Sequence, residues 1–318
     1  MTPNTSTINA GPWDHRTGSH VGHYHVLSRI GGGAQGVVYL ARDIELNRLV
    51  ALKFWLPVDD RDEGAMERFV REARAAAAAM HPHICAIHSI ESTPDGHVFI
   101  VMAYCGGQTL KQVLQAGRLD APEAVEIAAQ IAEALAAAHA EGVVHRDIKP
   151  SNVMLTANGV SILDFGCAQY TDWSRSGVSG ELVGTAAYMS PEQSRGEAVD
   201  ARTDVWSTGI VLYEMLAGAA PFEGSHPEAL VHAIRHDAPP PLSRHVQGIP
   251  WELETLVMRA LRKDLTERVE TASDLASALR RIQQTGWTRQ PTRLARALTF
   301  LKQSRSRLLD SVPARASR

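Results

Sequence analysis

The stretch 143–166, VVHRDIKPSNVMLTANGVSILDFG, constrains the chain more than any other. Asp147 closes His145-Arg146-Asp147, Lys149 follows two positions later and Asn152 five positions later, and Asp164 opens Asp164-Phe165-Gly166. Two short apolar runs, 153–155 and 160–163, flank Asn158-Gly159. Asn-Gly between apolar runs predicts a two-residue hairpin turn, because both central positions of such a turn need positive φ. A hairpin there holds Asn152 at one end and Asp164 at the other, so antiparallel pairing brings the two together. Two converging oxygen ligands, with a carboxylate and an ammonium just upstream, suit magnesium and phosphate.

His-Arg-Asp-x-Lys-x-x-x-Asn followed by Asp-Phe-Gly resembles the catalytic loop and metal motif of the eukaryotic-type protein kinases, in their bacterial Ser/Thr subgroup. The resemblance covers residues 24–284. It implies an α+β, bilobal protein-kinase fold: a small antiparallel β lobe with one main helix and a larger, mainly helical lobe, with ATP and magnesium (or manganese) between them. The expected organisation is a disordered lead-in over 1–20, a kinase domain over 21–285 and a basic tail over 286–318. Within the domain, the small lobe spans about 21–105 and the large lobe about 106–285.

The remaining parts are present in order. Residues 24–30 read as a strand, followed by Gly31-Gly32-Gly33-Ala34-Gln35-Gly36 and the β-type run 37–40. A dinucleotide fingerprint would open a helix at this point. A second strand instead suits a glycine flap over ATP phosphates, where missing side chains let backbone amides approach. The resemblance places Ile30, Gly31, Gly33, Gly36 and Val38 around the nucleotide. It makes Lys53 of Val50-Ala51-Leu52-Lys53 the grip on the α and β phosphates, and small Ala51 leaves room for adenine. The Ala-, Arg- and Glu-rich stretch 63–80 reads as a helix with Phe69, Ala73, Ala76 and Met80 on one face. Glu72, next to that face, is the implied partner of Lys53. His81-Pro82-His83-Ile84 ends the helix. Pro94-Asp95-Gly96 marks another hairpin. Met102 then gates the back of the pocket, Ala103-Tyr104-Cys105 form the hinge and Met154 the floor beneath adenine.

By the same resemblance Asp147 takes or orients the substrate hydroxyl proton, Lys149 neutralises the moving phosphoryl, and Asn152 and Asp164 hold the metal. Residues 167–187 read as the activation segment, in which Thr185 contacts Asp147 and Lys149. Arg146 suits a phosphorylated loop, because a guanidinium pairs with phosphate through two bonds. Ser179 is the leading site, before Ser174, Ser176 and Thr171. Asp204 caps the His-Arg-Asp backbone from below, and Glu192 of Ser190-Pro191-Glu192 pairs with Arg268. Ser190 stands where relatives usually carry alanine.

The net charge of −3 offers no argument for nucleic acid, and no apolar run approaches the length of a membrane span. Three cysteines without a CxxC pair do not make a disulfide framework, so a reducing cytoplasm is the expected location. His20, His23 and His25 lie close together without a Cys or acidic neighbour to complete a metal site. From Trp287 onward, eight Lys or Arg face one acid, Asp310, and leucines 294, 298, 301 and 308 fall near one helical face. That tail suits docking on the kinase, a partner, or an anionic membrane surface. Protein substrates and a homodimer are the other partners the resemblance implies. The rival readings are a pseudokinase scaffold that binds partners without phosphotransfer and a small-molecule phosphotransferase. The six residues Lys53, Glu72, Asp147, Lys149, Asn152 and Asp164 oppose the first, and the long activation segment opposes the second.

Overall fold

Alternation along the strands writes the first sheet. The structure, a computed structural model, describes residues 17–33, 36–55, 64–165 and 186–284. Strands β1 (His20–Val21), β2 (Tyr24–Gly33), β3 (Gly36–Asp43), β4 (Arg48–Trp55), β5 (Ile87–Ser92) and β6 (Val98–Ala103) form a six-stranded sheet in the order β1-β2-β3-β4-β6-β5. Every neighbouring pair is antiparallel. One face carries Val26, Val37, Tyr39, Leu52, Phe54, Phe99 and Val101, all buried, with the Phe54 and Phe99 rings stacked at 5.0 Å. The other face carries Ala51, Ile100 and Met102, covered by Phe69 and Ala73 of helix α1 (Ala65–Ala78). Strand β4 is buried on both faces over residues 50–54, as befits a central strand.

The chain divides into two compact units. The first takes the described residues up to Ala77 together with Cys85–Tyr104, and the second takes Ala78–Ile84 and the described residues from Cys105 on. The short return of 78–84 to the second unit has a local cause. Ile84 bridges Ile162, and the Ile162 amide donates to the His83 carbonyl at 2.8 Å. Met80 departs from its expected place. Helix α1 stops at Ala78, ahead of Pro82, so helical spacing no longer applies, and Met80 is 90% exposed while Ala79 is buried.

The second unit is mainly helical. Strand β7 (Gly107–Thr109) leads into α2 (Leu110–Gln115), where Thr109 and Gln112 form a capping box. Helix α3 (Ala121–Ala140) starts on Asp120, whose side chain accepts from the Glu123 amide at 2.9 Å, and the chain leaves it through Gly142 at φ 74°. Its face of Ala124, Ile127, Ile131, Leu135 and Ala138 is wholly buried. Strands β8 (Val153–Thr156) and β9 (Gly159–Ile162) pair antiparallel and join β7 in a small sheet. Then come α4 (Pro191–Ser194), α5 (Arg202–Ala217), α6 (Pro227–His236), α7 (Trp251–Ala260) and α8 (Ala272–Gln284). Helix α5 is buried along nearly its whole length. At Gly209 it approaches α7 so closely that an added Cβ would lie 2.9 Å from the Ala260 side chain. Among the described residues no helix is long and apolar enough to cross a membrane.

The β8–β9 hairpin forms, but its turn sits one residue earlier than Asn-Gly suggests. Thr156 pairs with Gly159, so Ala157 and Asn158 are the central residues, and neither has positive φ. Gly159 alone takes φ 104°, and a Cβ there would meet Gln130 and His83. One positive-φ glycine after the turn therefore replaces the two positive-φ positions that Asn-Gly signals.

Candidate active site

In the first unit, register aligns the expected nucleotide-binding residues on one sheet face. Gly31 pairs with Val38, Val38 with Lys53, and Lys53 with Ile100, while Ala51 pairs with Met102. Cross-strand partners share a face, so Val38, Ala51, Lys53 and Met102 look the same way, toward α1. Lys53 is buried at 5% exposure, which for an ammonium demands partners. Ile30 is 45% exposed. The Ala103 amide donates to the Ala86 carbonyl at 2.8 Å, tying β6 to the residue before β5, and Tyr104 ends the unit. Glu72 lies on α1, and its side chain is outside the described residues; Gly33 ends β2.

In the second unit, the catalytic-loop residues converge. Lys149 Nζ lies 2.8 Å from Asp147 Oδ2. Asn152 Nδ2 donates to that same oxygen and to the Asp147 carbonyl, each at 2.9 Å. Both amide protons of Asn152 are thus directed at Asp147, which leaves its Oδ1 as the atom able to take a cation. The Leu163 amide donates to the Asn152 carbonyl at 2.8 Å, so the hairpin sets Asn152 beside the approach to Asp164. The donor set of an amide oxygen and a carboxylate is all hard oxygen, which fits magnesium. Met154 pairs across β8–β9 with Ser161, whose hydroxyl lies 3.2 Å from Cys105 Sγ.

Arg146 and Asp164 both sit in the left-handed region, at φ 68° and 57°. Side chains other than glycine pay for that geometry, so neighbouring groups must impose it. Asp204, fully buried near the start of α5, accepts from the His145 amide at 2.8 Å, the Arg146 amide at 2.7 Å and His139 Nε2 at 2.8 Å. His145 accepts from the Asp147 amide through Nδ1 at 3.2 Å, so its proton is on Nε2, which donates to the Leu163 carbonyl at 2.9 Å. The sequence reading missed His139. Nothing in the sequence set it apart, because α3 also carries Glu123, Glu126, Gln130 and Glu133.

Downstream, Arg268 meets Glu192 through two hydrogen bonds at 2.8 and 3.1 Å, with side-chain exposures of 0% and 3%. Burial pushes the Glu192 carboxyl upward, but the Arg268 guanidinium and the Thr203 hydroxyl outweigh it and hold the group below its ordinary range. Ser190 N-caps α4 and its hydroxyl lies 3.0 Å from that of Thr203, which explains a polar residue where alanine is usual. Tyr188 donates to Glu214 at 2.7 Å, and burial holds that carboxyl above its usual range. Gly166, Cys167, Ser179 and Thr185 lie outside the described residues. Among the described residues no group of three His, Cys, Asp or Glu is arranged to hold a metal, and His20 and His25 stack as rings 4.8 Å apart.

Residues 24–279 match the protein kinase domain family. Over 275 residues the chain is 40% identical to the serine/threonine-protein kinase PknB of Mycobacterium tuberculosis, covering 84% of this chain and 44% of that protein. It is 38% identical over 264 residues to a probable serine/threonine-protein kinase of Clostridium perfringens, covering 82% of this chain and 38% of that one. The chain therefore spans less than half the length of these relatives. The crystal structure of the M. tuberculosis PknI kinase domain superposes with a TM-score of 0.68 at 29% identity, covering 85% of this chain and 99% of that domain. With the catalytic loop, the Glu192–Arg268 pair and the α+β architecture agreeing with that match, the chain belongs to the protein kinase domain family, in its bacterial serine/threonine branch.

Proposed function

We propose that the chain transfers the γ-phosphoryl of ATP to serine and threonine hydroxyls of proteins, including its own activation segment. The observation that carries this reading is the Asp147 carboxylate held by Lys149 at 2.8 Å and Asn152 at 2.9 Å on a strained loop. Asp147 receives or orients the proton of the attacking hydroxyl, and Lys149 neutralises charge on the moving phosphoryl. Asn152 and Asp164 supply oxygen ligands to magnesium or manganese, which when bound screens the phosphate charge. Positioning and charge stabilisation do most of the work in such a loose transition state. Lys53 grips the α and β phosphates with Glu72 as its partner. Ile30, Gly31, Gly33, Gly36, Val38, Ala51, Met102, Ala103, Tyr104, Cys105 and Met154 surround the nucleotide.

Arg146 is the acceptor of a phosphorylated activation segment, with Ser179 the first candidate and Thr185 selecting Ser/Thr substrates. The support is Arg146 Nε, buried without a hydrogen-bond partner among the described residues. A cytoplasmic location agrees with three cysteines that form no CxxC pair. The basic segment 286–318 serves as a contact for an anionic membrane surface or a partner, and a homodimer is a further assembly open to test by sedimentation.

Purified chain incubated with labelled ATP and magnesium, beside Asp147→Ala and Lys53→Met, tests the central reading. Label on serine or threonine in the wild type, and a loss of at least about 100-fold in each variant, is the expected result. ATP binding without transfer to itself or to a generic protein acceptor would replace this reading with a partner-binding pseudokinase.

A further inference from the structure

We propose that Gln193 is a positioning residue for Asp147, acting through the peptide bond that joins Arg146 to it; this deepens the kinase reading and rests on it. Gln193 Nε2 donates to the Arg146 carbonyl at 2.8 Å. The other end of the same amide, Oε1, accepts from the Ser190 amide at 3.0 Å, and the Gln193 amide donates to Ser190 Oγ at 3.2 Å. Because Ser190 N–H can only donate, the side-chain amide has one orientation, with its NH2 toward Arg146.

The consequence for the catalytic loop follows from which peptide planes are held. The plane before Arg146 is fixed through its N–H by Asp204 Oδ1 at 2.7 Å. The plane after it is fixed at its carbonyl by Gln193 and at its N–H by His145 Nδ1 at 3.2 Å. Arg146 lies between the two at φ 68°. His145 belongs to the loop itself, and Asp204 acts on the preceding plane. Gln193 therefore supplies the external hold on the plane that delivers the Asp147 Cα. Without it the Arg146–Asp147 plane keeps only the longer bond to His145 and can turn toward a relaxed φ, and the Asp147 carboxylate moves with it.

Gln193 is itself anchored. Thr203 Oγ1 donates to Glu192 Oε1 at 2.7 Å, so its single proton is spent there. The Ser190 hydroxyl, 3.0 Å away, must then donate to Thr203 while its oxygen accepts from Gln193. The chain of donors runs from Gln193 through Ser190 and Thr203 to the carboxylate that Arg268 neutralises. Register on the Glu192–Arg268 pair thus reaches the catalytic loop through one side chain.

Gln193→Glu separates the two ends of the amide. A carboxylate at this position keeps the capping box with Ser190 but cannot donate to the Arg146 carbonyl. The full chain carrying it should melt with the wild type, show faster hydrogen exchange over residues 145–149 with unchanged exchange over 190–195, and lose about tenfold or more in kcat at neutral pH with the ATP KM preserved. Lowering the pH should recover kcat relative to the wild type, because a protonated carboxyl donates again. Unchanged exchange over 145–149, a kcat equal to the wild type, or a kcat loss accompanied by a lower melting temperature without acid recovery would each overturn the proposal. A wild type that transfers no phosphate would remove the kinase reading, while the exchange comparison would still decide whether Gln193 holds the loop.

Discussion

Arg268 and Glu192 are 66 and 2 residues from Arg202 and Ser190 in sequence order, yet their side chains share one fully buried site with three protein carbonyls. Arg268 donates there to the carbonyls of Arg262 and Arg202 at 3.0 Å each, so the guanidinium is satisfied on every side. Removing one partner of such a pair costs more than the pair contributes, because a charge stays buried alone. Arg268→Met should lose about 3–5 kcal/mol of unfolding free energy. The pH dependence carries the sign. In the wild type Glu192 is held below its ordinary value of 4.5, so its stabilisation is complete above that value and is lost as pH falls toward the depressed one. Without Arg268, burial raises the carboxyl instead, and stability then falls as pH rises through its new value. The gap between the two proteins should widen as pH rises through the carboxylate range in urea unfolding, and a gap independent of pH would refute the assignment. The pairing itself was readable from the two motifs. The satisfaction of Glu192 by Thr203 and of Ser190 by the same hydroxyl was not, because those bonds connect residues that no spacing rule relates.

Helix α5 shows what an element adds that residues alone do not announce. Its first turn offers Asp204 to the backbone of 145–146, its second offers Trp206 Nε1 to the Met189 carbonyl at 3.0 Å and Ser207 Oγ to the Tyr188 carbonyl at 2.8 Å, and Glu214 takes the Tyr188 hydroxyl. One rigid, buried helix thus fixes both the catalytic loop and the segment 186–190. Asp204→Asn replaces one acceptor oxygen by an NH2 that faces a donor, whichever way the amide turns. The expected cost is about 3 kcal/mol, with a loss of phosphotransfer larger than the lost fold accounts for at temperatures where the variant stays folded. Transfer rates measured well below the melting transition check this, and wild-type rates there would exclude a role for Asp204 in the site. The sequence disclosed the two strands flanking the glycine run and the β8–β9 hairpin, because strand patterning and turn residues are local. It misplaced the hairpin turn, since Asn158-Gly159 also satisfies a turn in which only the glycine has positive φ. It put Met80 on a buried face because periodicity cannot tell where a proline stops a helix. It singled out Arg146 and Asp164 for their side chains but not for their backbone, since left-handed φ at a non-glycine position is imposed by distant partners such as Asp204 at Arg146.

At the scale of the molecule, the matched family and the basic charge occupy different stretches of the chain. The matched family stops at residue 279 and the last described helix, α8, at Gln284. Helix α8 closes the second unit by packing Leu275, Leu279 and Ile282 into its core and by setting Arg280 within 2.7 Å of both Glu126 and Glu133 on α3. Those ion pairs are about one-third exposed and contribute little on their own, so the apolar face of α8 carries the closure. Beyond it lie eight basic residues against one acidic, in a chain whose net charge is −3. A chain ending at Gln284 therefore keeps every described core residue and becomes strongly acidic. Its melting temperature should stay within about 2 °C of the full chain, whereas ending the chain before α8 should prevent folding. If the basic segment contacts anionic membranes, the full chain should float with phosphatidylserine vesicles at low salt and not at 1 M salt, where the screening length is about 3 Å. The chain ending at Gln284 should remain in solution under both conditions. Equal flotation of the two chains would end the membrane reading, and flotation that resists salt would shift the interaction from charge to the leucines at 294, 298, 301 and 308.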